Sequence, residues 1–351
     1  MSTLKIAAIP GDGIGNEVLP AAVRVLDRAM EQSGESITWE WVDWGCDHFI
    51  EHGAMMPADG IDRLSQTDAV FLGAVGRPDV PDHVSLWGLL IPIRRAFDQY
   101  VNLRPTRQFA GVTPRVAIPE GAHIDLLIVR ENTEGEYSEL GGRFGQGTPH
   151  EFAIQENVFT RRGIDRVARY AFEQASNRRN SLTSATKSNG IIHTMPFWDE
   201  VVDEVATDYP GVKTRKVLID ALAAELVGRP HDFDVIVASN LFGDILSDLA
   251  SALVGSLGIA ASANLDPERR FPSMFEPVHG SAPDIAGRGI ANPIAAIWSG
   301  AMMLEHLGHQ EAAGRIMLSI ERSLSSRDTR TADLGGSADT KSVTTAVMNG
   351  L

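Results

Sequence analysis

The chain has 351 residues, enough for two ordinary domains, and its 43% hydrophobic content is sufficient to fold without help. A formal charge of -15 excludes a sequence-independent nucleic-acid binder, which needs a basic surface, but leaves room for anionic substrates held by a few buried arginines. The single cysteine, Cys46, excludes an intrachain disulfide and fits a reducing, cytoplasmic setting. No apolar run reaches the ~18 residues of a membrane-spanning helix, and Met1-Ser2-Thr3-Leu4-Lys5 lacks the features of a secretory leader.

Lys5 to Ile9 is a short apolar run and reads as the first strand. The glycine-rich turn from Pro10 to Glu17 follows, then a helix from about Asn16 to Ser33 with Val18, Ala22, Val25, Leu26 and Ala29 on one face. Strand, glycine turn and helix suggest a dinucleotide phosphate loop. The spacing of Gly11, Gly13 and Gly15 is G-x-G-x-G, however, and no acidic residue closes a second strand ~20 residues on, so a Rossmann fold is not expected. Glycines that only shape the turn are the competing reading.

Ile37 to Val42 alternates as a strand should, and Ala69 to Gly73 is a buried strand ending in glycine. Gly76 to Ser85 is rich in Pro, Asp and Gly and reads as loop. Beyond it, Arg94 and Arg104 lie among apolar residues, and Pro92 is unusual for a helix interior. Arginine is rarely buried unless paired, and its planar fork suits carboxylates. Taken alone, two surface arginines whose stems cover apolar area are the simpler account.

Asp125 to Asn132 puts a third arginine, Arg130, at the end of a buried strand. Tyr137 follows in Glu134-Gly135-Glu136-Tyr137, beside a flexible stretch from Gly141 to Gly147. Phe152 to Gln155 alternates like an edge or arm strand, and residues 160–177 read as a helix. Lys187 stands just past a short strand, and Val217-Leu218-Ile219-Asp220 ends another with a carboxylate.

Val235-Ile236-Val237-Ala238 is a further buried strand, and Ser239 and Asn240 are good helix starters. A helix there places Asp244 and Asp248 four apart on one face. Two such carboxylates repel by about a few tenths of a kcal/mol, and a hard divalent cation, Mg²⁺ or Mn²⁺, turns that repulsion into binding. The bland alternative is an exposed acidic face. The apolar neighbours and the strand-to-helix position, where open α/β folds bind ligands, weigh against it. After Gly255 the chain reads as loop up to the segment from Phe275 to Gly287. Helices are expected from near Pro293 to Leu307, from Glu311 to Ser325 and from Thr340 to Met348, with no repeats and no low-complexity linker.

Five segments in this order carry a family resemblance: Gly11 to Gly15, Asn102-Leu103-Arg104-Pro105, Val129 to Gly135, Ser239 to Asp248 and Glu276 to Gly287. Over essentially its whole length the chain resembles the β-decarboxylating 2-hydroxyacid dehydrogenases, which include isopropylmalate, isocitrate, homoisocitrate, tartrate and D-malate dehydrogenases. Ser85-Leu86-Trp87-Gly88, Phe97 to Asn102, Thr183 to Gly190 and Phe271 to Pro277 resemble the tartrate/D-malate branch.

The resemblance implies an α/β, two-domain isocitrate/isopropylmalate dehydrogenase-like fold. A nucleotide-binding large domain would take residues 1–101 plus 257–351, and a dimerisation and metal/substrate domain residues 102–256. It implies a homodimer with shared active sites, no nucleic-acid or membrane partner, and a dicarboxylate substrate. Arg94, Arg104 and Arg130 would hold the carboxylates. Asp244 and Asp248 would ligate Mg²⁺ or Mn²⁺ together with Asp220 of the second subunit, with K⁺ a candidate assisting ion. Tyr137 and the second subunit's Lys187 would handle protons. Glu276, His279, Gly280, Ser281, Ala282, Asp284, Ile285 and Asn292 would form the cofactor loop. NADP-using relatives place lysine and tyrosine where this chain has Asp284 and Ile285, so NAD is expected.

The implied reaction is NAD-dependent oxidative decarboxylation of D-malate to pyruvate and CO₂, with tartrate as a further substrate. Isocitrate-type members carry serine and asparagine where this chain has Gly88 and Leu90, which disfavours isocitrate. An apolar slot of Leu89, Leu90 and Ile91 keeps 3-isopropylmalate open. A non-redox metal-dependent lyase would need the aspartates and arginines but not the cofactor segment, and a non-catalytic binding module would need neither Tyr137 nor Lys187.

Overall fold

The computed structural model describes residues 3–351, so the Met1-Ser2 part of the leader expectation lies outside it. The chain opens with β1 (Thr3–Gly11) and α1 (Gly15–Glu31), and all five residues expected on the buried face of that helix are buried. Next come β2 (Ser36–Trp41), α2 (Cys46–His52), α3 (Gly60–Leu64) and the wholly buried β3 (Ala69–Ala74). The stretch expected to be loop as far as Ser85 contains α4 (Asp82–Ser85).

A π-helical turn, Leu86–Leu90, leads into α5 (Ile91–Ala96), which carries Arg94. The Ile91 N–H bonds the carbonyl of Leu86, five residues back. Pro92 sits in the first turn of α5, where its missing N–H costs little. The widened turn therefore lets helical backbone continue into a proline that would break a regular helix.

The chain continues through β4 (Val101–Arg107), β5 (Asp125–Glu131), β6 (Gly141–Phe144) and β7 (Phe152–Gln155). Strands β6 and β7 pair antiparallel with all residues exposed, so the expected arm strand is present. The stretch expected to be flexible supplies its partner. Helix α6 (Arg161–Ser176) starts at Thr160, whose hydroxyl accepts the Gly163 N–H at 3.0 Å. Then follow β8 (Ser181–Thr186), α7 (Thr194–Ala206), β9 (Lys213–Leu218) and α8 (Ile219–Gly228). Asp220 thus lies in the first turn of α8 rather than at a strand end.

Strand β10 (Val235–Ala238) is fully buried and leads into α9 (Asn240–Val254), as expected. The region expected to be loop holds two buried strands, β11 (Ala261–Leu265) and β12 (Ser273–Pro277). Their polar residues hid them: Asn264 donates to the Met274 carbonyl at 3.3 Å and to Glu276 at 2.8 Å, and the Ser273 hydroxyl accepts the Asp266 N–H at 3.1 Å. Internal partners let such side chains enter a core without the usual penalty. The chain ends with α10 (Ile294–His306), α11 (Gln310–Ser325) and α12 (Thr340–Gly350).

Two compact units result, one of residues 1–99, 104–117 and 251–351, the other of residues 100–103 and 118–250. In the larger unit the strand order is β2-β1-β3-β12-β11, parallel except for the β12–β11 pair. In the smaller unit it is β5-β10-β8-β9, all parallel. Near-continuous apolar strands such as β3 and β10 belong in parallel sheets covered on both faces. Among the described residues, no helix is long and apolar enough to cross a membrane.

Candidate functional site

In the smaller unit, parallel pairing aligns Ala238 at the end of β10 with Arg130 on β5. The chain then turns into α9, whose first residues meet the Arg130 side chain. Arg130 is 4% exposed. Its Nη1 donates to Asp244 Oδ1 at 2.5 Å, and its Nε and Nη2 donate to Asn240 Oδ1 at 3.2 and 2.7 Å. Gly243 makes this approach possible, because a Cβ there would sit 2.6 Å from the Arg130 Cβ and Cγ.

The Tyr137 hydroxyl donates to Asp244 Oδ2 at 3.3 Å, and the Arg130 guanidinium lies 5.8 Å from the Tyr137 ring centre. One aspartate therefore gathers a guanidinium and a phenol. Asp248, one turn further along α9, is exposed. Lys187 follows β8, and its Nζ donates to Asp220 at 2.7 Å. That bond holds the exposed Asp220 carboxyl below its ordinary range.

Glu131, one residue past Arg130, is fully buried and accepts the N–H groups of Thr133 and Glu134 at 2.9 and 3.0 Å. Burial pushes its carboxyl up to about 7, against the opposing pull of those donors. The sequence marked Asn240 only as a helix starter, and it did not single out Glu131 or Glu136. The one available signal was the run of Glu131, Glu134 and Glu136, three carboxylates within six residues of a strand end.

In the larger unit, Arg94 and Arg104 are both buried, so the surface-arginine reading is overturned. Arg94 Nη2 donates to Glu276 Oε1 at 2.7 Å, and the buried Arg94 Nε has no hydrogen-bond partner among the described residues. Glu276, expected in the cofactor loop, thus neutralises Arg94. His279 keeps a buried Nε2 without a partner among the described residues, and burial lowers the affinity of the ring for a second proton. Asn292 is engaged at both ends: its Oδ1 accepts the Ile294 N–H at 3.1 Å and its Nδ2 donates to Asp333 at 3.1 Å. Gly280 and Asp284 are exposed, Ser281 is buried, Ala282 and Ile285 are partly exposed, and Ala282 adopts a left-handed φ of 40°.

The glycine turn is closed by backbone. The Ile14 N–H donates to the Ser281 carbonyl at 2.8 Å, and a Cβ on Gly13 would lie 2.1 Å from that oxygen. Asp12 accepts the N–H groups of Cys46 and Gly76 at 2.9 and 2.8 Å. These contacts support the turn-shaping reading of the glycines.

The residues fit the groups the resemblance implies. Asp244 and Asp248 are hard oxygen donors of the kind that Mg²⁺ or Mn²⁺ prefers, four residues apart on α9. Among the described residues no group of three or more His, Cys, Asp or Glu is placed to hold a metal ion. The unpartnered His279 Nε2 fits a polar nucleotide ligand.

Residues 5–349 match the family described as isocitrate/isopropylmalate dehydrogenase. The chain is 56% identical to D-malate dehydrogenase [decarboxylating] of Escherichia coli (strain K12), with 99% of this chain and 98% of that protein covered. It is 54% identical to a probable tartrate dehydrogenase/decarboxylase of Bacillus subtilis (strain 168), covering 100% and 99% of the two. Among solved structures, isocitrate dehydrogenase from Methylococcus capsulatus superposes with a TM-score of 0.90 at 35% identity, covering 99% of both chains.

Proposed function

The chain belongs to the isocitrate/isopropylmalate dehydrogenase family, and from that premise we propose that it catalyses the NAD-dependent oxidative decarboxylation of D-malate to pyruvate and CO₂, with tartrate as a second substrate. The observation that carries this reading is the Arg130–Asp244–Tyr137 cluster, which joins an anion-binding, a metal-ligating and a proton-donating group. The names of the two relatives, a D-malate dehydrogenase and a tartrate dehydrogenase/decarboxylase, support the substrate class.

Each side chain has a defined task. The guanidinium groups of Arg94, Arg104 and Arg130 bind and orient the substrate carboxylates, and the unpartnered Arg94 Nε supplies a ready donor. Asp244 and Asp248 hold Mg²⁺ or Mn²⁺, with Asp220 of a second subunit completing the set. When bound, the cation supplies Lewis acidity at the C2 oxygen and NAD accepts the hydride. Lys187 of the second subunit, in its neutral form, takes the C2 hydroxyl proton at Nζ. Tyr137, oriented by Asp244, gives its hydroxyl proton to C3 after C4 leaves as CO₂. Positioned proton transfer of this kind contributes ~10²–10⁴-fold. Asp284 bonds the adenosine ribose hydroxyls and repels a 2′-phosphate, which is the reason for NAD.

The apolar-slot argument for 3-isopropylmalate is weakened, because Leu89 and Ile91 are buried and Leu89 packs in the core with Val80, Phe97 and Met274. The β6–β7 arm exposes Phe144, Phe152 and Ile154 and is the surface assigned to a homodimer partner. The proposed setting is cytoplasmic, in keeping with a free, buried Cys46.

The test is NADH formation at 340 nm with Mn²⁺, NAD⁺ and D-malate, L-malate, the tartrate isomers, 3-isopropylmalate or isocitrate, each repeated with EDTA. Turnover fastest on D-malate, lost with EDTA and yielding pyruvate, is the expected result. Preference for 3-isopropylmalate moves the substrate assignment, and no NADH with any member of the panel defeats it.

A further inference from the structure

We infer that Glu136 is a positioning residue that fixes the Tyr137 hydroxyl against the Asp244 carboxylate by clamping the loop of Tyr137 to the first turn of α9. The first N–H groups of any helix lack intrahelical partners and must find others. In α9 the Leu241 N–H is taken by Glu136 Oε2 at 3.1 Å, while Glu136 Oε1 accepts the Ser239 hydroxyl at 2.7 Å. Ser239 Oγ accepts the Phe242 N–H at 3.4 Å, and Asn240 Nδ2 donates to the Glu134 carbonyl at 3.2 Å. Every bond of this cap except the Ser239–Phe242 one runs between the helix start and the segment 134–136. A carboxylate at this end also meets the positive end of the helix dipole.

The rest of the loop is tied as firmly. Glu131 caps its first turn through the Thr133 and Glu134 N–H groups. The Glu134 carboxylate accepts the Thr160 N–H and hydroxyl at 2.8 and 2.9 Å, which anchors the loop to the start of α6. Gly135 exchanges backbone bonds with Val158 at 2.7 and 3.1 Å. Glu136 is the last of these anchors before Tyr137 and the one whose side chain reaches α9, the helix that carries Asp244. Its bonds shorten the lever between phenol and carboxylate to a single peptide on one side and about one helical turn on the other. Catalytic geometry is sensitive at this scale, since a misplacement of ~1 Å can cost ~10²-fold in rate.

The role in turnover rests on the proposed dehydrogenase reaction, but the clamp can be read without turnover. Glu136→Ala removes both acceptors, and Glu136→Gln keeps one acceptor and the side-chain shape. Three readouts are taken on the full-length protein: amide hydrogen exchange over residues 131–138 and 239–243, Mn²⁺ binding by titration without substrate, and kcat and KM for D-malate. For Glu136→Ala the expectation is exchange at least ~10-fold faster in those two segments with β10 and α6 unchanged, Mn²⁺ affinity weaker by ~3–10-fold, and kcat down ~10–100-fold with KM within ~3-fold, on the scale of a displaced catalytic group. Glu136→Gln should fall between Glu136→Ala and the unsubstituted protein. Unchanged exchange shows that no clamp exists and overturns the inference. Faster exchange with unchanged Mn²⁺ affinity and kcat makes Glu136 an ordinary helix cap and overturns it equally. If the unsubstituted protein forms no NADH from the panel, the dehydrogenase reading fails, while exchange and Mn²⁺ affinity still decide the clamp. If Glu136→Ala does not fold, Glu136→Gln carries the same three readouts.

Discussion

In the smaller unit the loop from Glu131 to Tyr137 and the start of α9 are held by charged side chains: Glu131, Glu134 and Glu136 each accept two or more bonds, and Arg130 bridges Asn240 and Asp244. In the larger unit the segment from His279 to Asn292 is held mainly by backbone. The Ser281 carbonyl meets Ile14, the Gly289 carbonyl accepts the Thr340 N–H at 2.9 Å, and Gly13 leaves room for the approach. Among the described residues the His279 Nε2 there has no hydrogen-bond partner, and the Asp284 side chain is exposed. A site whose catalytic groups are themselves structural loses geometry when one is changed. A loop held by its backbone presents side chains that can be changed with little effect on folding.

The largest effect expected from this contrast is at Asp244. Asp244→Asn should lower NADH formation on the order of 10³-fold, several kcal/mol of lost transition-state stabilisation. It should also weaken Mn²⁺ binding in a titration without substrate. Activity within tenfold of the unsubstituted protein would remove Asp244 from the reaction.

Next is the pair Gly13→Ala and Asp284→Ala. Gly13→Ala places a Cβ against the Ser281 carbonyl at a φ of 54°, a backbone strain of ~1–3 kcal/mol before the clash is counted. Thermal unfolding should show a Tm several degrees lower. Asp284→Ala should leave Tm unchanged and narrow the NAD-over-NADP preference about tenfold, as loss of one charge-assisted bond allows. A large Tm loss in Asp284→Ala would show that the segment is not held by its backbone.

Glu131 gives a smaller effect with a defined sign. Its carboxyl, at about 7 in the fold against an ordinary 4.5, keeps a proton that the unfolded chain has released between those values. The stabilising contribution is full below the lower value and is lost as pH rises through the upper one, a change of ~3 kcal/mol at most. Urea unfolding at pH 5 and pH 8 should show this decline, and Glu131→Gln should flatten it. The same slope in both proteins would place the titration elsewhere. Smallest is Cys46, whose thiol burial pushes up to about 12. Iodoacetamide at pH 8 should leave it unmodified until urea is added, and ready labelling of the native protein would show that its surroundings open.

Much of this was legible along the chain. Apolar runs marked β3, β5 and β10, and helical periodicity marked α1, α6, α10 and α11, because burial on one or both faces leaves a period in the sequence. Asp244 and Asp248 were legible for the same reason, since four-residue spacing on a helix fixes a shared face. Strands β11 and β12 were not, because their serines and asparagine find hydrogen-bond partners supplied by distant residues. The pairing of β6 with β7 escaped notice because glycine-rich sequence does not reveal its strand partner.

By itself, the sequence determined the strongly periodic elements such as β3, β10, α1 and α9, the family and the identity of the charged groups, since these follow from local periodicity and from residue types in fixed order. The tertiary structure decided which charges meet: that Arg94 is answered by Glu276, that Asp244 is shared by Arg130 and Tyr137, and that Glu136 reaches the start of α9. Those contacts join residues about 100 to 180 positions apart. No local pattern encodes such pairs, because each depends on how parallel strands and their crossovers bring separate chain segments together.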